Sequence, residues 1–493
     1  MNKSTVVLPF SSQPGFDKAL QPLIQSPFIE KVIVLGDSAF KPSWPKCEGM
    51  RATSINSGKV LNKIVKKIKT DYLLIITHVE EIQITEGSLE YFIDTAESTA
   101  AGMVYSDYLE GKDKEIIKHP LNDYQPGSIR DGFDFGDLIL FSVPAVNDAL
   151  RKYGAIPEVE YAGLYALRLK VSIDHKIVHI RDFLYTRLAT DGKIDEKEPL
   201  REKLFDYVHP LNQTVQKEME KVATQHLKNI GAYLGPKFNK VPAPEHKFPV
   251  EASVVIPVLN RARTISNAIQ SALSQETDFH FNVIVVDNHS TNGTTAILAD
   301  MAKRYPTVKH IIPARVDLSI GGCWNEAVFS EFCGRYAVQL DSDDLYSSTE
   351  TLQKIINVFR KGDFAMVIGS YTLVNERLEE IPPGLIDHRE WTDKNGRNNA
   401  LRINGLGAPR AFETDLLRKI GFLNVGYGED YAMALRLSRQ YQIGRIYESI
   451  YLCRRWGGNT DAFLSIEQSN RNDAFKDEIR TLEIRARQEM TAK

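Results

Sequence analysis

The chain has 493 residues, a formal net charge of −3 and 43% hydrophobic residues. One hydrophobic core rarely serves so long a chain, so two or three domains are expected. The slightly acidic balance lacks the basic excess that binding to nucleic acid requires, which excludes a nucleic-acid partner.

The four cysteines, Cys47, Cys323, Cys333 and Cys453, have a spacing that is typical of neither a zinc site nor a disulfide framework. The apolar run at 6–9 is too short for a secretory signal, and no run approaches the roughly 18 apolar residues of a membrane span. These features predict a cytoplasmic protein without a membrane span, and they leave room for contact with the inner face of a membrane.

Short apolar runs alternate with helical patterns in both halves of the chain. The first half opens with strands at 5–9 and 31–35. The second half predicts strand 253–257, helix 264–274, strand 282–287, helix 294–305 and strand 336–340. Continuously apolar strands that alternate with helices predict an α/β fold with mostly parallel sheets covered by helices.

The second half repeats the first. Residues 415–421 resemble 148–154, and the Ala-Leu-Arg-Leu of 166–169 recurs at 434–437. Several such matches in one order predict two copies of one fold. The predicted division is a first copy at 1–190, a linker at 191–249, a second copy at 250–463 and a C-terminal helix at 464–493. The linker contains a predicted helix at 213–229 and then spaced prolines, which favour extended chain.

An acidic turn follows the predicted strand at 336–340. It consists of Asp341, Ser342, Asp343 and Asp344. Carboxylates crowded in this way repel one another unless a cation lies among them, and oxygen ligands suit Mg²⁺ or Mn²⁺ bound to phosphates. From this motif alone, a solvated acidic turn is the alternative.

Six segments of the second copy, in order, give it a family resemblance. They are 253–260, 283–290, 321–325, 341–344, 428–430 and 454–459. Together they resemble the inverting family 2 glycosyltransferases of the GT-A fold over residues 250–460. The resemblance implies two tandem GT-A-like domains. It also implies transfer of a sugar, a hexosyl or N-acetylhexosaminyl group, from a nucleotide-sugar donor to an acceptor hydroxyl with inversion. UDP-sugars are the default donors.

The resemblance also implies roles for individual residues. Asp343, helped by Asp341, would hold the divalent metal, Mn²⁺ or Mg²⁺. Asp430 would be the base that deprotonates the acceptor, with Glu429 orienting it. Considered alone, these two acids are equally typical of a first helical turn, where the helix dipole favours them. The donor would contact Pro257, Val258, Asn260, Arg261, Asp287, Asn288, Gly321, Asn325, Asp341, Ser342 and Arg454.

The segment 454–459 departs from the family pattern. Arg454 and Asn459 match the arginine and asparagine of the family, but Trp456 stands at the position of its histidine. Leu452 replaces the glutamine of the QxxRW pattern of processive members, which argues against a polymerising synthase. The group that neutralises the leaving diphosphate remains open between Arg454 and Arg455.

The first copy lacks the implied catalytic groups. Its residues 77–80 align with the acidic turn, and Val79 takes the place of Asp343. Gly36 aligns with Asp287, and Ala162 aligns with Asp430. We therefore expect an inactive domain that serves in acceptor binding, dimerisation or scaffolding.

Two other functions, a nucleotidyltransferase and a non-catalytic protein, fit the sequence less well. A nucleotidyltransferase normally has a glycine-rich first loop, which residues 257–263 lack. A non-catalytic carbohydrate-binding or assembly protein would have no need of Asp341, Asp343 and Asp430. The expected acceptor is a glycan, a lipid-linked oligosaccharide or a protein, in glycan or cell-surface polysaccharide biosynthesis. A homodimer is left open.

Overall fold

The structure is a computed structural model. It describes residues 2–12, 15–36, 42–52, 54–78, 82–112, 115–188, 212–457, 459 and 464–492. The chain forms two compact units, one of Met1–Tyr233 with Ser465–Lys493 and one of Leu234–Leu464. Among the described residues, no helix is both long enough and apolar enough to cross a membrane.

The first unit alternates strands with helices. Its elements up to residue 233 are β1 (Ser4–Pro9), α1 (Gly15–Gln25), β2 (Ile29–Gly36), β3 (Cys47–Arg51), α2 (Gly58–Lys67), β4 (Tyr72–Ile76), β5 (Ile82–Ile84), α3 (Ser88–Thr99), β6 (Met103–Ser106), β7 (Tyr108–Lys112), β8 (Glu115–His119), β9 (Leu138–Ser142), α4 (Val143–Tyr153), α5 (Gly163–Asp174), β10 (Ile177–Ile180), β11 (Tyr185–Leu188) and α6 (Gln213–Asn229). Helix α6 has the bounds that the sequence predicts.

The second unit follows the same plan. Its elements are β12 (Ala252–Val258), α7 (Ile265–Leu273), β13 (Phe281–Asp287), α8 (Thr294–Arg304), β14 (Val308–Ile311), α9 (Ile320–Phe329), β15 (Tyr336–Gln339), β16 (Leu345–Tyr346), α10 (Thr351–Lys361), β17 (Phe364–Val374), β18 (Glu380–Ile386), α11 (Gly396–Asn399), β19 (Arg410–Glu413), α12 (Thr414–Ile420), α13 (Glu429–Ser438) and β20 (Gln442–Arg454). Each strand and helix predicted for this half matches an observed element, and the predicted and observed ends differ by at most two residues.

The two main sheets have the same topology. The strand order is β3-β2-β1-β4-β9-β6-β10 in the first unit, and β14-β13-β12-β15-β19-β17-β20 is the matching path in the second. In both, the first four strands run parallel and the fifth runs antiparallel to its two neighbours. The predicted α/β fold with two similar domains is confirmed, and the antiparallel strand makes each sheet mixed.

Burial explains why the central strands are continuously apolar. Every residue of β12 is buried, as is every residue of β13 except the first. Helices cover both faces of such a strand, so both sets of its side chains are apolar. Because β12, β13 and β15 run parallel, their carboxyl ends lie at the same edge of the sheet. Ligands of α/β folds bind at this edge.

The proline-spaced stretch after α6 is extended but is not free. The Arg397 guanidinium donates to the carbonyls of Gly235 and Lys237, the latter at 2.9 Å. The backbone N–H of Asn239 donates to the Gln440 carbonyl at 2.8 Å. These bonds make this part of the predicted linker a component of the second unit. Residues 191–211 of that linker lie outside the described residues.

The last helix, α14 (Ile466–Thr491), belongs to the first unit. It presents a buried charged face, on which Asp477 accepts from Arg130 Nε at 3.3 Å and from Arg480 Nη1 at 2.7 Å. Gly127 packs so closely that an added Cβ would lie 1.9 Å from the Asp477 carbonyl oxygen. A helix that follows the second unit in sequence thus completes the core of the first.

We predict that Asp477→Ala destabilises the first unit by about 3–5 kcal/mol, because it leaves two buried arginines without their shared carboxylate. Hydrogen exchange of the α14 amides during denaturant titration measures this loss. The matched control is Asp473→Ala, which removes a 26% exposed partner of Arg130 at 3.3 Å and should cost less than about 1 kcal/mol. Equal effects of the two substitutions would contradict the assignment.

Candidate active site

The acidic turn lies at the carboxyl end of β15 and lines a cleft of about 260 Å³. This cleft brings together seven of the residues that the sequence singles out. They are Pro257, Arg261, Asp341, Ser342, Asp343, Glu429 and Asp430. The remaining predicted residues, Val258, Asn260, Asp287, Asn288, Gly321, Asn325 and Arg454, are not among the residues of its wall.

Asp341 is held by neighbours that the sequence analysis did not identify. The Gln339 amide donates to both of its carboxylate oxygens at 3.0 Å. The backbone N–H of Asp341 donates to the Tyr451 hydroxyl at 3.0 Å. The Gln339 side-chain oxygen in turn accepts from the backbone N–H of Arg410 at 3.1 Å. Residues two apart in an extended chain point to one side, which is the signal that would have found Gln339.

The crowded carboxylates shift one another's protonation. Burial raises the pKa of Asp341, and the charges of Asp343 and Asp430 add to this rise. Burial and the neighbouring Asp341 and Asp343 raise the pKa of Asp344 further. Asp344 accepts the backbone N–H of Arg454 at 2.7 Å. So dense a group of buried and partly buried carboxylates fits a site where a cation offsets the repulsion.

Asp343 is held through one of its two oxygens. Its Oδ2 accepts from Trp456 Nε1 at 3.1 Å and from Asn459 Nδ2 at 3.3 Å, and it lies 3.6 Å from Arg261 Nε. Within the described residues, Oδ1 has no hydrogen-bond partner. A carboxylate oxygen left open in this way suits Mg²⁺ or Mn²⁺.

The protein supplies only part of a metal's ligand set. Among the described residues there is no group of three or more His, Cys, Asp or Glu side chains that could hold an ion. Mg²⁺ is typically held by one or two carboxylates together with waters and substrate phosphates. The residues present therefore fit a metal that arrives with a phosphate-bearing ligand.

Two acids begin helix α13, just after Gly428, whose φ of 82° a glycine adopts without strain. Asp430 forms an ion pair with Arg410, whose Nη2 lies 2.8 Å from Oδ2. Glu429 is 9% exposed. Burial, together with the charge of Asp430, raises the pKa of Glu429 to about 8. The two adjacent acids therefore differ in their surroundings, and Glu429 is mostly protonated near neutral pH.

Asp287 is not among the residues of the cleft wall, and its donor contact stays a prediction. It is fully buried and accepts the Ser290 N–H at 3.0 Å and the Thr295 hydroxyl at 2.6 Å. Burial raises the pKa of Asp287, but these hydrogen bonds outweigh it and leave the pKa lowered. The side chain therefore shapes the loop after β13.

Asn260 and Asn288 also hold loops. Asn260 has a φ of 56°, and its side chain accepts the Thr291 N–H at 2.8 Å. The Asn288 amide donates to the Leu318 carbonyl at 2.7 Å, and its buried Oδ1 has no hydrogen-bond partner among the described residues. Val258 is buried at the end of β12. These residues join the loops that follow β12 and β13, beside the cleft.

Arg454 is buried and contributes its backbone N–H to Asp344, as described above. Its guanidinium is absent from the cleft wall, whereas Arg455 lines it. Of the two arginines that the sequence left open for the diphosphate, the geometry thus favours Arg455.

The glycine and asparagine of α9 form a clamp on a loop. An added Cβ on Gly321 would lie 1.8 Å from the Leu423 carbonyl oxygen, so only glycine fits there. The Asn325 amide donates to the Phe422 carbonyl at 2.9 Å and accepts the Phe422 N–H at 2.8 Å. Both residues were predicted to contact the donor. Their close contacts fasten α9 to the loop before α13, and their donor contact stays a prediction.

The first unit has the same clamp. An added Cβ on Gly58 would lie 1.9 Å from the Pro157 carbonyl oxygen. The Asn62 amide donates to the Ile156 carbonyl at 2.8 Å and accepts the Ile156 N–H at 3.2 Å. A motif present in both copies, including the one that lacks the acidic turn, indicates a structural role.

We predict that Asn325→Ala lowers the stability of the second unit by about 1–3 kcal/mol, because two partly buried backbone groups lose their partner. The affinity of the Asn325→Ala variant for UDP should equal that of the wild type. Denaturant unfolding and calorimetric titration of UDP measure the two effects. Asn62→Ala is the matched control and should destabilise the first unit by a similar amount. A large loss of UDP affinity in Asn325→Ala alone would restore the donor-binding role.

The first unit places other groups where the second has its cleft. His78 Nδ1 and Thr77 Oγ1 lie 2.7 and 2.9 Å from the buried Asp137, which Arg187 also pairs with at 2.6 Å. The Tyr185 hydroxyl accepts the Asp137 N–H at 2.7 Å. Strand β11 thus delivers two side chains to the end of β4. Val79 and Glu80, which align with the end of the acidic turn, lie outside the described residues.

The two copies can be aligned in two ways at this helix. The shared Ala-Leu-Arg-Leu pairs Asp430 with Ala162, whereas the starts of α5 at Gly163 and of α13 at Glu429 pair it with Leu164. Neither residue is acidic, so the first unit has no carboxylate at this place.

Sequence comparisons identify the family of the second unit. The sequence model described as Glycosyl transferase family 2 matches residues 253–419. An uncharacterized glycosyltransferase of Nostoc sp. is 30% identical over 127 residues, which are 26% of this chain and 38% of the relative. Chondroitin synthase of Escherichia coli is 30% identical over 151 residues, 30% of this chain and 21% of the relative. Residues 253–419 therefore form a family 2 glycosyltransferase domain.

The match to these relatives is partial: the chain spans between a fifth and two fifths of their length. Among solved structures, S. aureus TarS in complex with UDP-GlcNAc is similar at a TM-score of 0.37 and 20% identity, over 48% of this chain and 72% of that one. The mannosyltransferase PcManGT from Pyrobaculum calidifontis, in complex with GDP-Man and Mn²⁺, is similar at 0.34 and 15%, over 59% and 85%.

Proposed function

We propose that the chain transfers a sugar from a nucleotide-sugar donor to an acceptor hydroxyl, with inversion at the anomeric carbon. One observation carries this proposal: a single cleft joins the acidic turn, which lies within the family 2 match at 253–419, to the Glu429–Asp430 pair just beyond that match. The first group suits a diphosphate with its cation, and the second suits a hydroxyl that must lose its proton. UDP-sugars are the default donors.

The reaction is a single displacement at the anomeric carbon. Asp430 accepts the proton of the acceptor hydroxyl, while the 2.8 Å ion pair with Arg410 fixes its carboxylate. Glu429, mostly protonated near neutral pH, orients the acceptor or Asp430. Arg455 lies on the cleft wall, where its charge favours the leaving diphosphate.

Asp343 and Asp341 would hold a divalent cation, Mn²⁺ or Mg²⁺, which supplies charge stabilisation to the departing diphosphate. The first unit serves a non-catalytic role, since Val79 stands at the position of Asp343 in its sequence and its nearby carboxylate, Asp137, is already paired with Arg187. The acceptor class is a glycan, a lipid-linked oligosaccharide or a protein, and the kinship with a chondroitin synthase favours the glycan. The proposed setting is glycan or cell-surface polysaccharide biosynthesis.

The first test measures donor hydrolysis by the purified full chain with Mn²⁺ across a panel of UDP-, GDP- and dTDP-sugars. We expect turnover of one donor, and a loss of about 100-fold or more in Asp343→Ala, because the cation's stabilisation amounts to several kcal/mol. Asp278→Ala is the control, since Asp278 is a 61% exposed partner of Arg360. If no donor binds and Asp343→Ala behaves like the wild type, the domain is not a transferase.

A second test separates the two acids. We predict that Asp430→Asn lowers kcat by about 10²–10⁴-fold, the usual contribution of a general base. Glu429→Gln should be mild near neutral pH, because the glutamine resembles the protonated acid. Its activity should diverge from that of the wild type above pH 8, where Glu429, with its pKa of about 8, ionises. The measurement is kcat against pH for both variants. The reverse ranking near neutral pH would make Glu429 the base.

A further inference from the structure

Trp456 contacts the cleft residue Asp343, and the family pattern does not explain this contact. It stands where family members often carry a histidine, and an indole has no lone pair to offer a metal. Its N–H is instead directed at a carboxylate, since Nε1 lies 3.1 Å from Asp343 Oδ2. The side chain therefore acts on the residue assigned to the cation.

Neighbouring groups hold the indole in this orientation. The Arg263 guanidinium lies 5.0 Å from the centre of its ring and that of Arg261 lies 5.9 Å away. The backbone N–H of Trp456 donates to Asn459 Oδ1 at 2.6 Å. Cation–π contacts fix the faces of an aromatic ring, so the ring edge with its N–H stays towards Asp343.

Asn459 completes the arrangement. Its Nδ2 lies 3.3 Å from the same oxygen, Asp343 Oδ2, and also donates to the Arg454 carbonyl at 3.0 Å. With Arg261 Nε at 3.6 Å, three nitrogen-bearing side chains surround Oδ2. The Asp343 carboxylate is thus held by one oxygen, and its rotation, which would exchange Oδ1 for Oδ2, is opposed by all three.

We propose that Trp456 is a positioning residue. By binding Oδ2, its indole N–H orients Asp343 so that Oδ1 is the oxygen presented to a divalent cation. Outer hydrogen bonds of this kind orient metal ligands and raise metal affinity. In this chain a tryptophan therefore supports the cation site through a hydrogen bond to the ligand Asp343. It does so at a position where relatives often carry a histidine. This inference rests on the proposed metal dependence.

The test is the dissociation constant of Mn²⁺, measured by the electron paramagnetic resonance signal of free Mn²⁺, for the full chain with saturating UDP. Trp456→Phe keeps an aromatic ring for Arg261 and Arg263 but removes the N–H together with part of the ring area. We expect its Mn²⁺ dissociation constant to rise about 10-fold, the lower end of what loss of such a partner costs. Asn459→Ala removes the second hydrogen-bond donor to Asp343 Oδ2 and should also raise the Mn²⁺ dissociation constant.

Controls separate positioning from a loss of structure. Trp391→Phe makes the same substitution at a buried tryptophan outside the cleft wall and should leave the Mn²⁺ affinity unchanged. UDP affinity without metal should be unchanged in Trp456→Phe, since the indole N–H donates to Asp343 and to no other residue in the described part of the chain. Supporting the proposal requires this selective loss of Mn²⁺ affinity.

Two outcomes would overturn the proposal, and they differ from each other. If the wild type binds Mn²⁺, Asp343→Ala does not, and Trp456→Phe equals the wild type, the positioning role is wrong while the proposed function stands. If the wild type and Asp343→Ala bind Mn²⁺ equally poorly, the metal dependence fails and the inference fails with it. A loss of UDP affinity without metal in Trp456→Phe would assign the indole to the donor instead.

Discussion

Mutual repulsion of carboxylates is the constraint on which the second unit's cleft depends. Asp341, Asp343 and Asp344 follow one buried strand, and α13 brings Asp430 to the same cleft. Buried charges of one sign are costly unless donors or cations surround them. Each of three carboxylates has neighbours that offset its charge. Gln339 donates to Asp341, and Arg410 pairs with Asp430. Trp456 and Asn459 both donate to Asp343.

Local features of this design could be predicted from the sequence. The strands β12, β13 and β15 are continuous apolar runs, and the acidic turn follows the last of them directly. Each of these patterns spans only a few neighbouring residues, so it can be recognised without knowledge of the fold. The duplication was also visible, because short matches recur in one order. The antiparallel strands β9 and β19 were missed, since an apolar run does not encode the direction of its neighbours.

Partners that come from distant parts of the chain could not be predicted. Tyr451 and Arg410 meet the acidic turn only because β20 and β19 bring them to this end of the sheet. The same limit applies to Asn325. It stands near the acidic turn in sequence and matches a family segment, which favours donor contact, and its amide binds both backbone groups of Phe422. The duplication already pointed to this structural role, because Asn62 keeps the same spacing in a copy without the acids.

The comparison of the copies yields a general criterion for a duplicated chain. A residue kept in both copies serves the fold that they share, as the glycine–asparagine clamp does. A residue found only in the copy with the acidic turn is a candidate for chemistry, and Asp341, Asp343, Glu429 and Asp430 meet this condition. In the first unit, Asp137 lies at the end of β4 and is already neutralised by Arg187. A carboxylate satisfied by its own protein has no need of a cation, whereas Asp343 keeps Oδ1 open. The corresponding ends of the two sheets therefore differ in unsatisfied charge, and that charge is what the cation of a metal–diphosphate donor would bind.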